Sequence, residues 1–104
     1  MVFKGVKISV VHGDISHEDT DCIVNAANGI LQHENASLSQ RIINQGGAVI
    51  IEESTEILKQ RGGIPIFTGE CEHTSAGKLD AKFLVHTVGP VWWGGNHNEQ
   101  WLLR

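Results

Sequence analysis

Apolar and polar positions alternate over Val6-Lys7-Ile8-Ser9-Val10-Val11, which predicts a strand with Val6, Ile8 and Val10 on its buried face, ended by His12-Gly13-Asp14. Ser16-His17-Glu18-Asp19 then sets a capping residue ahead of an acid, the mark of one short helical turn. An apolar run from Cys22 to Ala27 reads as the next strand. Helical spacing of Leu38, Ile42 and Ile43 predicts a helix from Ser37 to Gln45, and Gly46-Gly47 separates it from a second, Ala48 to Arg61, carrying Val49, Ile50, Ile57 and Leu58. Gly62-Gly63 ends that helix. Thr68 to Thr74 alternates as a strand, Ser75-Ala76-Gly77-Lys78 is a turn, and Lys82 to Val88 is a buried strand closed by Gly89-Pro90. Strands and helices in alternation make the chain α/β. Asn98 to Arg104 reads as the opening of an amphipathic helix, which fits either a truncated or split domain or a short terminal helix that docks.

Composition narrows this picture. With 104 residues, 40% of them hydrophobic, the chain is expected to be one small domain over residues 1–104. It has no apolar run of bilayer length, and Met1-Val2-Phe3-Lys4-Gly5 lacks the apolar core of a secretion signal, so a cytoplasmic or nuclear setting without membrane partners is expected. Cys22 and Cys71 both stand in strand-like contexts and are expected to be buried, reduced thiols. A formal net charge of -4 argues against a nucleic-acid partner but leaves an anionic ligand open, because backbone N–H groups bind phosphate without net positive charge.

The candidate chemistry gathers where the second strand stops. Val24-Asn25-Ala26-Ala27-Asn28 delivers two carboxamides and small residues to the carboxyl end of a buried strand, the position at which parallel sheets hold ligands. A carboxamide donates and accepts at once, so it suits a sugar hydroxyl or a water. Asn28-Gly29 is also a turn signal, and Asp14 has the ordinary alternative role of ending a strand. His86, alone in its strand, reads more readily as a hydrogen-bonded core residue than as a catalyst.

Four separated motifs carry a family resemblance: Gly13-Asp14-Ile15-Ser16, Asp21 through Asn28, Gly69 to Gly77, and Val85-His86-Thr87-Val88-Gly89-Pro90-Val91-Trp92. In this order they resemble a macrodomain, the ADP-ribose-binding module. The likeness extends to macrodomains attached to ADP-ribosyltransferases and found in some viral polyproteins, which share the Leu31-x-His33 step. The resemblance implies a three-layer α/β/α fold with a mixed, largely parallel central sheet, incomplete here at the C-terminus. It also implies a ligand-binding set of Asp14, Ile15, Ala26, Asn28, His33, Glu34, Asn35, Ala36 and Ser37. In that set Asp14 would accept from the adenine amino group, Ile15 would add a backbone contact, Asn28 would hold the distal ribose, and Ala26 would let the ligand pass. No cofactor and no metal are implied.

One departure weakens the expected site. Where the family has a run of glycines around the diphosphate, this chain reads Glu34-Asn35-Ala36-Ser37. Glycine there permits positive φ and close approach of peptide N–H groups to an anion, and Glu34 adds a negative charge near a helix start that would otherwise attract phosphate. Ser37-Leu38-Ser39-Gln40 matches a capping box, so the helix is expected to satisfy its own first amides. Hydrolytic members of the family use the asparagine matching Asn28 and, in some branches, an aspartate at the position of Leu38, which neither orients a water nor accepts its proton.

Other chemistries find little support. The chain has no Gly-x-Gly-x-x-Gly after a strand and no phosphate-loop Lys-Ser/Thr. Its six histidines are scattered, and Trp92, Trp93 and Trp101 suit a core or a partner surface better than base stacking. Two functions remain: an ADP-ribose or ADP-ribosylated-protein reader with weak or no hydrolase activity through Asn28, and a degenerate macrodomain acting by interaction, self-association or complementation by another chain.

Overall fold

The computed structural model describes residues 1–31 and 37–103, Ser37 by its backbone alone. A small hairpin opens the chain, β1 (Val2–Phe3) against β2 (Val6–Lys7), followed by extended chain to a 3-10 turn at Ile15–His17. Strand β3 (Cys22–Ala26) leads to helices α1 (Ser37–Gly46) and α2 (Ala48–Gln60). Strands β4 (Cys71–Ser75) and β5 (Phe83–Thr87) follow, then a short helix α3 (Glu99–Leu102).

The main sheet has three strands in the order β3-β5-β4, with β3 parallel and β4 antiparallel to β5. Its register lines Ile23 with Leu84 and Thr74, and Asn25 with His86 and Glu72. Because side chains alternate across a strand, one face carries Ile23, Asn25, Leu84, His86 and Thr74, all buried. Ile42 and Ile43 of α1, Ile50 of α2, and Ala76 and Leu79 pack onto Ile23 and Leu84 as a single core. Each isoleucine or leucine withdrawn from water there contributes about 1.5–3 kcal/mol. Gly47 joins the two helices at φ +95°, a conformation that side chains rarely adopt, so the expected break between the helices is a built joint. Glu53 of α2 then accepts from the Ser75 N–H at 2.6 Å, and Arg61 donates to Glu72 at 3.1 Å, fastening α2 to β4.

The opposite face is open. Val24 and Phe83 are 55% and 52% exposed, and Cys22, Cys71 and His73 lie beside them at the surface. Both cysteines are therefore exposed free thiols, not buried ones: Cys22 is one residue out of phase with inward Ile23 and Cys71 three residues out of phase with inward Thr74, so both fall on the face that α1 and α2 do not cover.

The first strand expected from alternation also differs. Only Val6–Lys7 pairs, Val6 and Ile8 are exposed, and Val10 is 97% exposed. Alternation specifies which side chains share a face, and that face is buried only when something is packed on it. Leu38 and Val49 likewise lie at the surface, while Ile42, Ile43 and Ile50 are buried as expected. The strand expected from Thr68 starts at Cys71, after a turn at Thr68-Gly69. Trp92, Trp93 and Trp101 are exposed, which removes the core reading for them. Among the described residues no helix is long and apolar enough to cross a membrane.

Candidate functional site

Asp14 is the N-cap of the 3-10 turn, and its side chain is held on both oxygens. Oδ1 accepts from the Ser16 N–H at 3.0 Å and from the Ser16 hydroxyl at 2.7 Å. Oδ2 accepts from Arg41 of α1, through Nε at 2.9 Å and through Nη2. The Arg41 hydrogen bonds, followed by those from Ser16, hold the Asp14 carboxyl well below the usual carboxylate range, so it is ionised at neutral pH. Asp14 both ends the extended segment, its ordinary role, and presents a charge beside α1. Ile15 is half-buried against the core, which anchors the turn. Gly13, Asp14, Ile15, Leu38 and Arg41 together line an open groove of about 330 Å³.

Sequence reasoning passed over Arg41. Its signal was available: Arg41 lies three residues after Leu38 and so shares a helix face with it, over the groove.

At the end of β3 the two asparagines separate. Asn25 is fully buried, its Oδ1 accepting from the Ser39 hydroxyl at 2.9 Å and its Nδ2 lying 3.1 Å from His86 Nδ1. An amide nitrogen only donates, so His86 Nδ1 accepts and its proton sits on Nε2, which donates to Thr74 Oγ1 at 3.0 Å. The Thr74 hydroxyl in turn donates to the Ser75 carbonyl at 2.9 Å. This row of polar groups crosses all three strands and reaches α1, and His86 has the core role that its isolation suggested.

The Ser39 hydroxyl also lies 3.1 Å from the Ala26 carbonyl, so its one proton is shared between the two acceptors and ties the end of β3 to α1. The same helix therefore holds the Asp14 turn through Arg41 and the strand end through Ser39. Ala26 and Asn28 are exposed beyond it. The Asn28 carbonyl accepts from the Leu31 N–H at 3.1 Å, so Asn28-Gly29 does form a turn. Gly29 is required there by proximity: a Cβ on it would stand 2.7 Å from the Ile66 carbonyl.

His33, Glu34, Asn35 and Ala36, and the side chain of Ser37, lie outside the described residues, and with them the expected glycine-less loop. Of the expected capping box, Gln40 is seen to donate to Asn44 at 3.0 Å. A second groove, about 360 Å³, opens on the exposed sheet face between Cys22, Cys71, Glu72, His73, Phe83 and Val85. It lacks the ionised, doubly anchored carboxylate of the first, which we take as the candidate site. Among the described residues, no three histidine, cysteine or acidic side chains gather to hold a metal.

With this geometry in view, comparison with known proteins gives the class. The macro domain family model matches residues 24–104, and the chain belongs to the macrodomain family. It is 54% identical to an uncharacterized protein of Thermotoga maritima over 97% of the chain and 16% of that protein. It is 41% identical to an O-acetyl-ADP-ribose deacetylase of Citrobacter rodentium, over 94% of the chain and 54% of the enzyme. Among solved structures, the Oceanobacillus iheyensis macrodomain with ADP superposes with a TM-score of 0.80 at 34% identity, covering 86% of this chain and 47% of that one. A mutant of the same macrodomain has been solved with ADPR, and it too superposes with a TM-score of 0.80. The α/β fold with its mixed sheet is thus a macrodomain fold, of which this chain spans about half the length seen in those solved structures.

Proposed function

We propose that this chain binds ADP-ribose, free or carried on a mono-ADP-ribosylated protein, and serves as a reader with weak or no ADP-ribosyl hydrolase activity. The observation that carries this reading is the Asp14 carboxylate, kept ionised and fixed by Ser16 beside a groove walled by Ile15 and Leu38. An acceptor-only group beside apolar walls suits the amino edge and the faces of a purine. Exposed Asn28, beyond the small residues Ala26 and Ala27, suits the distal ribose at the other end of the same ligand. Support also comes from family membership and from the ADP and ADPR complexes of the Oceanobacillus macrodomain.

Hydrolysis would need a water aimed at the ribosyl carbon and a group to take its proton. Asn28 can orient such a water, but Leu38 is apolar and offers no acceptor, so turnover would be slow. The alternative reading, an interaction module that no longer binds nucleotide, draws on the open sheet face with Val24, Phe83, Cys22 and Cys71 exposed.

Titration calorimetry with ADP-ribose separates the two. The reader is expected to bind saturably, and Asp14→Ala to weaken binding about tenfold, the effect of losing one hydrogen bond to a charged group. Absence of binding by the unmodified chain would leave the interaction module as the better reading.

A further inference from the structure

Arg41 holds the same carboxylate on which purine recognition depends in the reading above. An ionised carboxylate offers about four lone-pair positions. At Asp14, Oδ1 receives both the N–H and the hydroxyl of Ser16, and Oδ2 receives Nε and Nη2 of Arg41. All the acceptor positions are therefore engaged, and a purine amine reaches Asp14 only by displacing a donor.

The two sets of donors differ in how readily they yield. Ser16 is buried two residues along the same turn, so its N–H and hydroxyl are held in place by the backbone that Asp14 caps. Arg41 comes from another element and its side chain is 58% exposed, so water takes up the guanidinium once it leaves. An exposed ion pair of this kind shifts an equilibrium by no more than about fivefold. Arg41 also lines the groove, so its departure opens the path to Asp14 without moving the backbone.

We propose that Arg41 is a built-in competitor for the purine subsite: it closes on Asp14 Oδ2 in the empty groove and is displaced when an exocyclic amine takes its place. This rests on the ADP-ribose reading above. Arg41 thereby lowers affinity for the purine end of a ligand and leaves the sugar-phosphate end untouched. A ligand that brings no donor to Asp14 has nothing to exchange for the guanidinium.

Calorimetric titration of the unmodified chain, Arg41→Met and Arg41→Lys with ADP-ribose and with ribose 5-phosphate tests the competition. Methionine keeps the length and helix preference of the side chain while removing every donor. Arg41→Met is expected to bind ADP-ribose about threefold tighter, with Arg41→Lys in between and ribose 5-phosphate unaffected. In an Asp14→Ala background the gain should vanish, which a purely structural role for Arg41 would not produce. Weaker ADP-ribose binding by Arg41→Met, or an equal gain for both probes, would overturn the competition. Binding by the unmodified chain with no gain in Arg41→Met overturns the competition and leaves the ADP-ribose reading standing; no binding by either protein overturns both.

Discussion

Asn25 and Asn28 stand three residues apart at the end of one strand and have opposite surroundings. Asn25 is fully buried, bonded to Ser39 and His86, while Asn28 is exposed in the turn that leaves the sheet. The same contrast runs through the molecule. On the α1 and α2 side of the sheet, side chains are packed and their polar groups satisfied; at the rim, Asp14, Arg41 and Asn28 stay accessible on top of that framework. What separates the buried asparagine from the exposed one is which way a strand position points and where the strand ends, since the residue type is the same.

Substitutions can break or sharpen this division. The largest effect is expected at Leu84, which is fully buried in the core: Leu84→Ala should lower unfolding stability by about 2–5 kcal/mol in chemical denaturation. Asn25→Ala should follow at about 2–3 kcal/mol, because it removes the fully buried carboxamide that bonds both Ser39 and His86. An Asn25→Ala chain as stable as the parent would show that the polar row does not bind the sheet together.

A smaller effect concerns pH. Folding depresses the Asp14 pKa, chiefly through Arg41 and then Ser16, so its contribution to stability is present above the unfolded value and is lost as pH falls through the folded one. Free aspartate titrates near ~3.9. A carbon-detected NMR titration should find Asp14 still ionised at about pH 3, below that reference value, and Arg41→Met should move its titration back up toward the ordinary range. Titration of Asp14 at the ordinary value in the parent chain would remove the ion pair from the site.

Much of the framework was legible because its signals are local. Helical spacing of Ile42, Ile43 and Ile50, the glycine joint at Gly46-Gly47 and the apolar runs of β3 and β5 each specify their element within about a dozen residues. Val6 to Val11 misled because alternation describes a face without naming its partner, and only Val6–Lys7 found one. The cysteines misled for a related reason: apolar context does not say which face of the sheet the helices cover. The motifs around Asp14 and Asn28 single them out, and the structure places Asp14 in the groove and Asn28 exposed beyond β3. The Ser39, Asn25, His86 and Thr74 row could not, since it joins residues 14, 61 and 12 positions apart whose meeting depends on the sheet register. Arg41 was missed because a surface arginine on a helix is ordinary until the turn it pairs with is placed beside it.

The division between framework and rim is tested most directly by thermal unfolding of the parent chain and Asn28→Ala, each with and without ADP-ribose. Asn28→Ala alone should remain folded, since the backbone carbonyl that closes its turn is kept. Saturating ADP-ribose, a ligand that binds only the folded state, should raise the melting temperature of the parent and leave that of Asn28→Ala almost unmoved. A parent chain that gains nothing from ADP-ribose, or an Asn28→Ala chain that gains as much as the parent, would contradict it.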